Sequence, residues 1–221
     1  MQIVFMGTPE FALPSLKTLL DRRYEVAAVV TAPDKPRGRG LEVRPTPVKD
    51  FSLQQGLPVL QPEKLSDPEF LSQLRTLQPD LIVVVAFRIL PKKVFTLPKF
   101  GSFNLHASLL PKYRGAAPIN WAIINGEQET GVTTFFLQEK VDTGSVILQA
   151  RLRIGPDETA GELHDKLAEV GAEIVYQTVR LIEIGKAVPR LQDESLASPA
   201  PKIFKDDCQI DWKSPTQRLH N

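Results

Sequence analysis

Apolar residues along the first half of the chain fall into two kinds of pattern, and the two alternate. Short unbroken runs, "QIVFM" at 2–6, "EVAAVVT" at 25–31, "LPVLQP" and "DLIVVVAF", read as strands, and the run at 81–86 is apolar enough to be buried on both faces. Between them lie stripes at helical spacing. Leu13, Leu16, Leu19 and Leu20 predict a helix to about Arg22, with Thr8 as N-cap and Pro9 at its first position. Shorter helices are predicted near 48–55 and 67–77. Strand and helix in alternation imply a parallel sheet with helices on both faces. Residues 32–49, rich in Pro, Gly and Arg, read as a long exposed loop.

The pattern changes after residue 106. A helix is predicted over 116–125. Two strands follow, "GVTTFFLQ" and "GSVILQARLRI", joined by a short connection that makes them antiparallel. Leu163, Leu167, Val170 and Ile174 mark a long helix over about 159–184. Residues 189–207 read as linker, and "QIDW" as an edge strand. In "SPTQRLHN" Ser214, Pro215 and Gln217 form the signature of a helix start. The expected division is therefore one main domain over 1–190, then a linker over 191–221 that begins a further domain. The fold class is α/β, with a mostly parallel central sheet, a later antiparallel part and helices on both faces.

Composition narrows the function classes. A formal net charge of +1 over 221 residues excludes a polycation, so any nucleic-acid contact needs a local patch. The loop supplies one: Lys35, Arg37, Arg39, Arg44 and Lys49 face only Asp34 and Glu42. Such a loop can track phosphates, or be merely a solvated surface. The three histidines, 106, 164 and 220, are too dispersed for a zinc motif. No run reaches the ~18 apolar residues of a membrane span.

The chemistry concentrates in "FNLHASLLPKYRGAAPIN". On a strand over 101–106, Asn104 and His106 share one face while Phe103 and Leu105 take the other. They sit at the carboxyl edge of an open α/β sheet, where ligands bind. Asp142, in "EKVDTGS", is either a plain turn aspartate or a carboxylate returned to that edge. An amide, an imidazole and a carboxylate together suit acyl transfer, one group polarising a carbonyl and another moving protons. Ser108 does not complete a serine hydrolase: the G-x-S-x-G elbow is absent and the chain order is wrong. After the first strand the G-x-G-x-x-G fingerprint is also absent, and Glu10 would repel a phosphate at the helix start.

"NLHASLLPKYRGAAPINWAI", "VDTGSVI", "FMGTPEFALPSL" and "TAPDKPRGRG" resemble the methionyl-tRNA formyltransferases, within the wider group that uses 10-formyltetrahydrofolate. The resemblance runs along the whole chain. It implies a Rossmann-like catalytic domain, a monomer in the cytoplasm without a metal, and two partners: 10-formyltetrahydrofolate as donor and methionyl initiator tRNA as acceptor. It gives the catalytic positions to Asn104, His106 and Asp142, the folate-binding stretch to Ser108, Leu109, Leu110 and Pro111, and tRNA contact to Lys35, Arg37, Arg39 and Arg44. In the family a smaller β-barrel domain follows, which the sequence leads one to expect after Asn221. Ala107 and "AFRILP" at 86–91 depart from the commoner pattern, and Arg88 is expected near the pterin pocket. A nucleotide-amino-sugar N-formyltransferase and a non-catalytic folate- or RNA-binding module are the competing readings.

Overall fold

A computed structural model describes residues 1–37 and 42–221. Its first strand, β1 (Gln2–Gly7), carries Ile3 to Met6 fully buried, as an apolar run without polar interruption requires. The turn after it differs from the sequence expectation. Thr8 caps nothing, because its hydroxyl accepts the N–H of Ala32, and Glu10–Ala12 form a 3-10 turn before α1 (Leu13–Asp21). Pro14 has no N–H to offer the Glu10 carbonyl, so a full α-turn cannot form there.

β2 (Glu25–Val30) pairs parallel with β1. The following stretch is more regular than a loop. β3 (Lys35–Arg37) and β4 (Glu42–Arg44) pair as an antiparallel hairpin. Its base is buried and tied down: Thr46 Oγ1 lies 2.8 Å from Thr31 Oγ1, and it also accepts from Lys49 N at 3.1 Å to cap α2 (Pro47–Gln54). β5 (Val59–Leu60), α3 (Pro68–Thr76), β6 (Leu81–Val85) and α4 (Lys92–Phe95) complete the βα alternation.

β7 (Ser102–His106) is followed by the two-residue β8 (Arg114–Gly115), α5 (Pro118–Ile124), β9 (Glu129–Phe136) and β10 (Val146–Arg153). α6 (Ala160–Glu183) starts at a capping box in which Thr159 and Glu162 satisfy each other's backbone N–H. β11 (Pro199–Ala200) and α7 (Thr216–His220) close the order. "QIDW" forms no strand; residues 199–200 pair instead, parallel to β8. The Ser214 capping box does not form either, since the Ser214 hydroxyl turns back to Asp211 and Gln217 bonds Asn221.

The seven-stranded sheet runs β10-β9-β7-β6-β1-β2-β5. Five central and edge strands are parallel, whereas β9 pairs antiparallel with both β7 and β10. Phe5, Val83, Phe103 and Leu105 face α1 and α6 in one core; Val4, Met6, Ile82 and Val84 face α3 and α4 in the other. Each fully buried side chain of this size contributes roughly 1.5–3 kcal/mol. Gly171 lets α6 sit hard on β7, because a Cβ there would stand 2.7 Å from Leu105 Cδ2. The order reverses direction between β1 and β6, and the carboxyl ends of those strands and of β7 open on the same side.

Candidate active site

On that side lies a cavity of about 680 Å³, a volume suited to a small molecule. Phe87, Ile89, Leu90, Leu137 and Val141 give it an apolar lining, to which Phe11, Pro118 and Ile119 add, and His164 also lines it. Asn104, His106 and Asp142 stand in its lining, so the strand-face argument and the return of the Asp142 turn both hold geometrically. Asn104 sits opposite Val84 and Phe135 in the sheet, and His106 opposite Thr133.

The imidazole is oriented by backbone. His106 is buried and its Nε2 lies 2.8 Å from the Tyr113 carbonyl oxygen. A carbonyl only accepts, so Nε2 carries the hydrogen and donates it. Nδ1 is left for the site, 3.8 Å from Asp142 Oδ2. That separation exceeds a hydrogen bond but suits a charge pair once the ring is protonated. Tyr113 is in turn fixed: its hydroxyl donates to Glu127 Oε1 at 2.6 Å and accepts from Asn125 Nδ2 at 3.1 Å. Burial, reinforced by Glu127, raises its phenol above the ordinary value.

Asp142 has φ +54°, a left-handed backbone that a short polar side chain tolerates better than most. Its Oδ2 accepts the N–H of Gly115 at 2.9 Å. Glycine two residues on is demanded by close approach. A Cβ at Gly144 would lie 1.6 Å from the Phe136 carbonyl oxygen. The turn aspartate and the returned carboxylate are thus one residue.

Ser108, Leu109, Leu110 and Pro111 are not among the residues that line this cavity; Ser108 and Leu110 are buried beside it. Thr133 Oγ1 donates to the Ser108 carbonyl at 2.6 Å and accepts from Leu110 N at 3.1 Å, while Gln149 holds the Leu110 carbonyl. The stretch is held against β9 and β10 because the Ser108 carbonyl and both backbone groups of Leu110 find side-chain partners there. Arg88 does line the cavity, yet its guanidinium donates to the carbonyls of Pro62 and Glu63, outside that lining. In the basic hairpin Lys35 stands directly across from Arg44, both exposed. Arg37 is described only in its backbone, and Arg39 lies outside the described residues. Lys49 is not available to a phosphate in the same way, because it pairs with Asp34; that bond, with Gln61, holds the Asp34 carboxyl below its ordinary value.

Sequence reasoning missed the segment after α6. Residues 192–201, read as linker, pack on the site. Ser198 receives the backbone N–H groups of Tyr113 and Arg114, and Ala200 is fully buried. Gln192 and Glu194 both hold the Arg114 side chain. The Tyr113 carbonyl and the Gly115 N–H, which orient the imidazole and the carboxylate, are backbone groups and leave no mark in a sequence.

An open α/β sheet carrying amide, imidazole and carboxylate beside one cavity defines a group-transfer site of the acyl kind. The chain belongs to the formyl transferase family, whose pattern matches residues 1–179. A methionyl-tRNA formyltransferase of Caldanaerobacter subterraneus is 54% identical over all of this chain, which spans 72% of that protein. Among solved structures, an N-formyltransferase from Helicobacter canadensis, in complex with folinic acid and dTDP-3-aminofucose, superposes with a TM-score of 0.76 at 22% identity, over 99% of this chain and 77% of that one. Glycinamide ribonucleotide transformylase 1 from Symbiobacterium toebii gives a TM-score of 0.71 at 22% identity, over 87% of this chain and 94% of its own. At that identity the two structures establish the fold. Among the described residues no cluster could hold a metal ion, and no helix is long and apolar enough to cross a membrane.

Proposed function

We propose that this protein transfers the formyl group of 10-formyltetrahydrofolate to the α-amine of methionyl initiator tRNA. The observation that carries the reading is the pairing of Asn104 and His106 on one strand face beside Asp142, in a chain 54% identical to a methionyl-tRNA formyltransferase. An α-amine has a pKa of ~8, so a usable fraction is neutral near neutral pH. It attacks the formyl carbon, a C–N bond forms, and the carbonyl oxygen takes the negative charge.

Asn104 donates to that oxygen, a contact worth ~3–4 kcal/mol in the transition state. His106 acts in two steps, because Nε2 is committed to Tyr113. In the neutral ring Nδ1 only accepts, so it takes the proton of the attacking amine. As imidazolium it then donates to the oxyanion, with its charge balanced by Asp142. Collapse breaks the bond to the folate nitrogen, which receives the proton as tetrahydrofolate leaves. The lining of Phe87, Ile89, Leu90, Leu137 and Val141 offers apolar surface for the folate ring. The cations of the β3–β4 hairpin offer contacts for tRNA phosphates.

Acceptor profiling with labelled 10-formyltetrahydrofolate tests the reading. Label is expected on charged initiator tRNA. Label on a nucleotide amino-sugar, or on no acceptor at all, would replace it with one of the two competing readings.

A further inference from the structure

We infer that Gln192 is a positioning residue for the transfer reaction, acting through Asp142; this rests on the proposed role of Asp142 as the partner of His106. Gln192 lies beyond α6, 50 residues from Asp142 in sequence, and its side-chain amide nitrogen donates to the carbonyls of both Asp142, at 2.9 Å, and Gly144, at 2.8 Å. Both donors of one NH₂ group are therefore spent on a single turn. The orientation of the amide is set from its other end, since Gln192 Oε1 accepts from Arg114 Nε at 3.1 Å and from the terminal Nη2 at 2.7 Å. A flipped amide would set NH₂ against the guanidinium, so Arg114 selects the donating orientation. Glu194 holds the remaining face of that guanidinium at 2.7 and 2.9 Å.

The result is a closed ring of contacts. Arg114 adjoins Gly115, the N–H of Gly115 binds the Asp142 carboxylate, the Asp142 carbonyl binds Gln192, and Gln192 binds Arg114. Such a ring is what a left-handed aspartate needs. A non-glycine residue at φ +54° is strained and persists only where its surroundings over-determine it. Within the turn itself, Thr143 bonds back to the Lys140 carbonyl, which shapes the loop but does not hold it to β8. The Gly115 N–H ties the carboxylate to β8 directly, and Gln192 adds a second tie, from the turn's two carbonyls to Arg114 of the same strand. Without the second tie the Asp142 carboxylate is held 3.8 Å from His106 Nδ1 by the Gly115 bond alone, and loosening on that scale is costly in a proton-handling pair.

Gln192→Leu is one atom shorter, keeps an apolar stem and deletes every polar contact. Gln192→Glu keeps the acceptor for Arg114 and deletes the two donors. Both are expected to lower kcat on the order of tenfold with KM for the folate unchanged within twofold, and to raise hydrogen exchange at the Gly115 amide, followed by NMR, on the order of tenfold. In an Asp142→Asn background, adding Gln192→Leu is expected to cost less than a further twofold, because the residue acts through the missing charge. Two results would each overturn the inference: unchanged Gly115 exchange in both variants, or a Gln192→Leu loss that multiplies in full with Asp142→Asn. The exchange measurement needs no turnover, so an enzyme with another substrate would still decide whether Gln192 holds the turn.

Discussion

His106 illustrates how a side chain's role follows from the atoms already engaged. Side by side on one strand face, Asn104 and His106 could both serve as donors to one oxygen. The Tyr113 carbonyl removes Nε2 from that task, and Nδ1 becomes a donor only after it has taken a proton. Asp142 then matters as the charge that stabilises imidazolium. Asp142→Asn keeps the shape and removes the charge, and is expected to reduce turnover at least tenfold while folate affinity, read by fluorescence titration, changes by less than threefold. Collapse of folate affinity with unchanged turnover per bound complex would make Asp142 a turn or ligand residue only. Strand alternation makes the shared face of Asn104 and His106 readable from sequence alone. The Tyr113 contact is not readable, because it is a main-chain oxygen, and the residues alone leave Asp142, 36 positions away, as either a turn aspartate or a returned carboxylate.

Elements place these groups, and their legibility depended on how locally each is determined. Strands β1, β6 and β7 and the helix α6 announce themselves by apolar pattern, because burial on one or both faces dictates the spacing. The β3–β4 hairpin and the β8–β11 pair do not, since two or three residues are too few for a period and their stability comes from the surrounding fold. Gly144 shows the reverse case, a turn residue visible in sequence whose reason is tertiary. Gly144→Ala would force a Cβ to within 1.6 Å of the Phe136 carbonyl, so the β9–β10 connection must move. The expected loss is about 1–3 kcal/mol in urea unfolding, with a fall in turnover larger than that loss explains. In the hairpin, Lys35 and Arg44 face each other across one register position. Replacing both with alanine is expected to weaken tRNA binding and to flatten its dependence on salt by about one to two charges, leaving folate binding untouched.

The whole molecule is closed at the edge away from the cavity by contacts that respond to pH. Tyr24 donates to Glu183 at 3.2 Å, and the chain's amino terminus approaches the same carboxylate. Burial, with Glu183 adding to it, pushes the Tyr24 hydroxyl from 10.0 up to about 12. A raised value in the folded state means that the unfolded chain gives up the proton first. The stabilising contact is thus fully present below pH 10.0 and is lost as pH rises through about 12. Urea midpoints across that window are expected to fall less steeply in Tyr24→Phe than in the natural chain; parallel declines would remove Tyr24 from the account. At this scale the α/β class and the two helical layers follow from alternation. The docking of residues 192–201 onto the site does not, because a polar, proline-bearing stretch with few apolar residues carries no sign of what it will bond.

The central claim, that one strand edge performs the transfer, is tested most directly by single-turnover formyl transfer from 10-formyltetrahydrofolate to methionyl initiator tRNA. Asn104→Ala and His106→Ala are each expected to slow the chemical step on the order of a hundredfold or more, with folded structure and folate binding preserved. A rate within a few-fold of the natural chain in either variant would contradict the assignment of that residue, and in both it would contradict the site.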